Sequence, residues 1–209
     1  MSLDDARKKK QGKMKKRYIF RSIVLAVLLA AVVFALVTNL NQDKEIYRAG
    51  DKAPDFELTQ INENNADEVI RLSDLEGKGV MLNFWATYCA PCEEEMPYME
   101  SLYPEYADDI EIVAVSLDAS ELVIHKFIDK YDLSFPVVHD SNSDVLDLYN
   151  VGPIPSTYFI NPDGEIVEEV AGALTLERLE NHFQQILPED SKAEVDANKK
   201  LSAKKEANK

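Results

Sequence analysis

The chain has two cysteines in 209 residues, and both lie in FWATYCAPCEEEMP, as Cys89 and Cys92. Two thiols separated by two residues are suited to few kinds of chemistry. A stapling disulfide is a weak reading, because closing so short a loop stabilises far less than closing a long one. Structural zinc wants four ligands, and His125, His139 and His182 stand singly along the chain, as surface or core histidines. Thiol–disulfide exchange remains, and it depends on which sulfur is held as thiolate.

The flanking sequence supplies the elements that would position such a pair. GVMLNFW, residues 79–85, is a short apolar run that reads as a buried strand. ATYC then turns, and APCEEEMPYMESLYPEYA has the residue types of a helix, with Pro91 tolerated in its first turn. Cys89 then stands at a helix N-terminus, where free N–H groups and the helix dipole favour a thiolate. Cys92, one turn further in, is the sulfur that would resolve a mixed disulfide. Glu95 follows Cys92 by three residues and so shares its helix face. On the residues alone, Glu95 is either a solvated carboxylate among three or a proton carrier for a buried thiol.

The rest of the chain gives coarser signals. IEIVAVSL (110–117) reads as a β-branched buried strand, and residues 119–132 as an amphipathic helix with Leu122, Phe127, Ile128 and Tyr131 on its apolar side. STYFI and EIVEEVA flank NPDG, a hairpin turn, and Thr175 opens a last helix to residue 187. The net charge of −15 is unevenly spread. Residues 1–21 carry nine basic against two acidic side chains, and residues 50–187 carry six against twenty-nine. So acidic a body would repel phosphate, which excludes nucleic acid as its partner.

Behind the basic head, residues 22–40 run SIVLAVLLAAVVFALVTNL without a charge. As a helix they would be roughly 28 Å long, near the ~30 Å hydrocarbon core. The positive-inside rule keeps the head in the cytoplasm and sends everything after Leu40 outside. No small-residue cleavage site of the A-x-A kind and no lipid-accepting cysteine follows the run, so the reading is an uncleaved, single-pass anchor rather than a signal peptide. Residues 41–49 are then a linker, and the polar tail 188–209 reads as mostly disordered.

With those residues in view, FWATYCAPC resembles the active-site segment of the thioredoxin fold. The longer C-A-P-C-E-E-E-M-P is similar to that of membrane-anchored, extracytoplasmic thiol–disulfide oxidoreductases of the TlpA/ResA type. The likeness runs through GDKAPDFEL, LSDLEGKGVMLNFW, EIVAVSLD, FPVVHD, VGPIPSTYFINPDGEIV and GALTLERLENHF, across about residues 50–187. It implies an α/β fold: a thioredoxin-like central sheet flanked by helices, with an N-terminal hairpin and an inserted strand–helix segment. It implies Cys89 and Cys92 as the redox disulfide, Glu95 as a functional carboxylate, and Ile154–Pro155 as the cis-proline facing the cysteines. Trp85, Tyr88, Ile154 and Pro155 would line the substrate-binding surface. The backbone of Ile154 would pair with an extended client segment as an added strand does.

The resemblance further implies reduction of the CxxCH disulfide of an apocytochrome c before haem attaches, with electrons from a CcdA-like membrane thiol carrier. No cofactor and no metal is expected. Where thioredoxins proper have an aspartate on the strand before the cysteines, this sequence has Asn83, so Glu95 would replace that carboxylate. Relatives carry a further acid just after the second core strand; Ala119 takes that place here, beside Asp118. Negative potential near the pair raises thiol pKa values and opposes the helix dipole, which favours a reductant. Two other classes fit less well. A peroxiredoxin-like peroxidase needs T-x-x-C, and Thr87 stands one residue too close to Cys89. A copper or haem carrier would hold its ligand on the two thiols.

Overall fold

The structure, a computed structural model, describes residues 20–36, 47–62 and 68–192. The chain divides into two compact units, Met1–Lys44 and Glu45–Lys209. In the first, residues 20–36 form a helix, α1, with exposed apolar side chains such as Leu25, Leu29 and Phe34. Among the described residues no helix is long and apolar enough to cross a membrane. The last four residues of the expected span, 37–40, lie outside the described residues, as do 1–19 of the basic head and 41–46 of the linker.

The second unit is built on a five-stranded sheet. Its strands are β3 (Gly79–Trp85), β4 (Ile110–Ser116), β5 (Val137–His139), β6 (Ser156–Ile160) and β7 (Ile166–Ala171), in the order β5-β4-β3-β6-β7. β3, β4 and β5 run parallel, and β6 and β7 pair antiparallel. A separate antiparallel pair, β1 (Glu57–Thr59) with β2 (Val69–Arg71), is the N-terminal hairpin. The helices are α2 (Ala90–Tyr106), α3 (Glu121–Tyr131), α4 (Asp144–Leu148) and α5 (Leu176–Ile186). β5 and α4 follow α3 and precede β6 along the chain. This is the thioredoxin-like α/β fold, a central sheet flanked by helices.

Every residue of β3 is buried, which is why its sequence is a continuous apolar run rather than an alternating one. Alternation still decides which core each side chain joins. Val80, Leu82 and Phe84 join one core with Val113, Val115, Tyr149 and Tyr158. Met81 and Trp85 join the other, with Met96, Met99, Phe127, Phe159 and Phe183. Asn83 lies between Met81 and Trp85 on that second face, and it is the polar residue that the pleat turns toward α2.

Local signals set the ends of the elements. Thr175 caps α5 by accepting from the Arg178 N–H at 3.4 Å. In NPDG, the Asn161 side chain accepts from the Asp163 and Glu165 N–H groups, and Gly164 takes φ 76°. At the start of the polar tail, residues 189–192 are helical and Ser191 bonds Asp109; 193–209 lie outside the described residues.

The C-terminal end of α5 closes on the start of β3 so tightly that only glycine fits there. A Cβ on Gly79 would stand 2.4 Å from the Ile186 carbonyl oxygen, which is backbone and has no rotamer to adjust. Gly79→Ala is therefore expected to destabilise the domain by about 1–3 kcal/mol through overpacking. The check is urea unfolding, where the midpoint should fall with an unchanged slope. A midpoint equal to that of the unmutated chain would show that α5 can shift at no cost.

Candidate active site

Ala86 to Cys89 form the turn that leads from β3 into α2, closed by the Cys89 N–H donating to the Ala86 carbonyl at 3.1 Å. Cys89 is the N-cap of α2 in extended conformation, and Pro91 lies in the first turn. The two sulfurs form a disulfide, with Cα atoms 5.3 Å apart. The Cys92 N–H points at the Cys89 sulfur, 3.3 Å away, so a helix-end donor is already aimed at that atom. Cys89 retains 9% exposure and Cys92 none. An incoming disulfide therefore meets Cys89 first.

Behind them, Glu95 is fully buried. Its Oε1 accepts from Asn83 Nδ2 at 2.8 Å and its Oε2 from the Leu174 N–H at 3.0 Å. The Asn83 amide also donates to Thr157 Oγ1 at 3.0 Å, across the β3–β6 pairing that sets these two residues opposite each other. Burial pushes the Glu95 carboxyl up to about 7, against the two bonds, which favour its charged form. A carboxyl with that value exchanges a proton readily at neutral pH, and it lies on the same helix as Cys92, one turn on.

The turn itself is held from the side. Thr87 donates to Asp118 twice, from its N–H at 2.8 Å and from Oγ1 at 2.6 Å. A peroxidase-type threonine would direct its hydroxyl to the reactive sulfur, and this hydroxyl is committed elsewhere. Ile154–Pro155 is cis, and the Pro155 carbonyl accepts from the Gly172 N–H at 2.8 Å. Ile154 is half-buried and Pro155 buried, while Tyr88 is 75% exposed. Tyr88 and Ile154 thus have surface to offer a client.

Trp85 does not. It is completely buried, with its ring 4.7 Å from that of Phe127. The strand alternation that sends Trp85 into the α2/α3 core removes it from the substrate-binding surface expected of it, and its role here is packing. Sequence reasoning missed Thr157 and the Leu174 N–H. No local pattern marks either, since both reach the site through tertiary contact. Among the described residues no group of three or more His, Cys, Asp or Glu side chains is placed to hold a metal.

Comparison with known proteins agrees with this geometry. The AhpC/TSA family pattern matches residues 49–169. The chain is 58% identical over 192 residues to the thiol-disulfide oxidoreductase ResA of Oceanobacillus iheyensis, covering 91% of this chain and 100% of that one. It is 43% identical over 175 residues to the protein of the same name from Bacillus cereus, covering 83% and 99%. Among solved structures it is similar to StoA from Bacillus subtilis, with TM-score 0.55, 29% identity and coverage of 64% and 98%. A Chlorobium tepidum protein assigned as the thiol:disulfide interchange protein DsbE gives TM-score 0.61, 31% identity and coverage of 67% and 98%.

Proposed function

The chain belongs to the AhpC/TSA family and is a thiol–disulfide oxidoreductase, and we propose that it reduces the CxxCH disulfide of an apocytochrome c before haem attaches. The observation that carries this reading is the layering of the site. An accessible sulfur caps a helix, a buried sulfur lies one turn behind it, and a buried carboxyl that titrates near neutrality follows one turn later. The likeness to the TlpA/ResA type supports the choice of client. The catalytic domain works on the extracytoplasmic side of the cell membrane, anchored by one span at residues 22–40 and re-reduced by a CcdA-like thiol carrier.

In this scheme the reduced protein begins with the Cys89 thiolate. It attacks one sulfur of the client disulfide, and the client's other sulfur leaves as thiolate. Cys92 then gives its proton to the Glu95 carboxylate and attacks the Cys89 sulfur. The mixed disulfide breaks, the Cys89–Cys92 disulfide forms, and two electrons have passed to the client. Tyr88 and Ile154 would hold the client segment beside Cys89, with Pro155 fixing the course of the backbone.

Direction is tested by equilibrating the Cys89–Cys92 couple in thiol buffers. The expected value is roughly −270 mV, near thioredoxin's, or lower, with an oxidised CxxCH peptide reduced in the same assay. A value near the roughly −120 mV of DsbA would describe an oxidant and overturn the proposed direction.

A further inference from the structure

We propose that Asp118 is a positioning residue of the thiol site, one that withholds the donors of Thr87 from Cys89 and so keeps the attacking thiol from ionising too easily. This rests on the reading of Cys89 as the attacking sulfur and goes beyond it.

Asp118 follows β4 and is 4% exposed. Its Oδ2 accepts from the Thr87 N–H and from Ser116 Oγ at 3.0 Å, and its Oδ1 accepts from Thr87 Oγ1. Its own N–H returns to Ser116 Oγ at 3.3 Å. Its carbonyl oxygen lies 2.7 Å from His139 Nε2, and since a carbonyl only accepts, that nitrogen carries the proton. His139 Nδ1 faces Glu121 at 3.4 Å. Ser116 of β4 thus bonds the carboxylate and His139 of β5 bonds the main-chain carbonyl of the same residue, which fixes Asp118 against the turn that carries Cys89.

Thr87 is two residues before Cys89, on the turn that carries the sulfur, and its hydroxyl and N–H are both turned to Asp118. A thiolate is stabilised by donors and destabilised by nearby negative charge. Asp118 does both of the unfavourable things: it accepts the hydrogen bond of the hydroxyl, and it places a carboxylate beside the turn. The other charged groups on the surrounding elements are engaged or exposed. From α2, Glu93 pairs with Lys130 and bonds Tyr131, Glu95 bonds Asn83 and Leu174, and Glu94 is exposed. From α3 and β5, Glu121 and His139 face each other, and Lys126 is exposed while His125 is half-buried. Asp118 is the carboxylate bonded directly to the turn.

The experiment is a pH titration of monoalkylation on the reduced full chain, with mass spectrometry to show which cysteine reacts. In Asp118→Asn the charge is gone, and with the amide nitrogen facing Thr87 Oγ1 the hydroxyl becomes the acceptor and its own proton is free to turn toward Cys89. The Cys89 pKa is expected to fall by about one unit. Tenfold more thiolate, each less nucleophilic, gives about threefold faster alkylation below the pKa. At pH 9, where the thiolate is populated, the couple becomes up to about 30 mV more oxidising, the equivalent of a tenfold shift. Thr87→Val provides an independent check and keeps the charge: because the hydroxyl is withheld from Cys89, its loss should leave the Cys89 pKa where it was.

An unchanged Cys89 pKa in Asp118→Asn overturns the proposal, and a raised one in Thr87→Val does so independently, even if the first variant fails to fold. Alkylation of Cys92 before Cys89 would instead overturn the underlying choice of attacking sulfur.

Discussion

Cys92→Ser is expected to stop turnover at a covalent adduct between Cys89 and the client, whereas Cys89→Ser forms none. The expectation follows from depth. Cys89 reaches the surface at the tip of α2, where the Cys92 N–H is already directed at its sulfur. Cys92 has no exposed surface, and its natural target is the sulfur one turn away. Without Cys92, the mixed disulfide has no internal thiol to break it and accumulates. Without Cys89, nothing at the surface attacks, and exchange should fall by roughly 10³-fold or more, as when a nucleophile is removed from other enzymes. The serine hydroxyl buried at position 92 costs about 1–3 kcal/mol if it finds no partner, so both variants are compared by circular dichroism first. Intact mass after incubation with an oxidised CxxCH peptide reads out the adduct. An adduct on Cys92 in the Cys89→Ser protein, or undiminished turnover by Cys92→Ser, would reverse the assigned roles.

What could be read from the sequence was what neighbouring residues determine. The apolar run 79–85 coincides with β3 because a strand buried on both faces needs no polar alternation. The start of α2 was visible in Pro91, and that of α5 in Thr175, since each acts within one turn of the chain. The hairpin at NPDG followed from Asn161 bonding its own backbone. The contacts that give the site its chemistry span far greater separations. Leu174 reaches Glu95 across 79 positions, Thr157 reaches Asn83 across 74, and Asp118 reaches Thr87 across 31. None of these has a local signature, because sheet order brings them together, and sheet order was available only by resemblance. Trp85 shows the opposite error. The resemblance put it on the substrate-binding surface, and the pleat turns it inward against Phe127.

Glu95→Gln is expected to remove a pH dependence from both stability and exchange, and the two signs differ. Burial raises this carboxyl from 4.5 to about 7 in the fold, so the native state holds its proton more tightly than the unfolded chain does. Stability from this group is therefore fully present below about 4.5 and declines as pH rises to about 7, then stays level. A shift of that size corresponds to about 3 kcal/mol across the interval. The difference in unfolding free energy between the two proteins should trace that slope. Glutamine adds a pH-independent offset, because Asn83 and Leu174 both donate and its amide nitrogen cannot accept from either. Exchange runs the other way. Glu95 accepts a proton from Cys92 only when ionised, so decay of the mixed disulfide should quicken as pH rises through about 7 and then level off. In Glu95→Gln that inflection disappears, and the plateau rate drops by about 100-fold, the low end of the loss of a positioned base. Stopped-flow decay of a preformed mixed disulfide, followed from pH 5 to about 9 across the carboxyl's range, gives the answer. If the inflection near 7 survives the substitution, another group carries the proton, and Glu95 is buried beside the thiol for structural reasons alone.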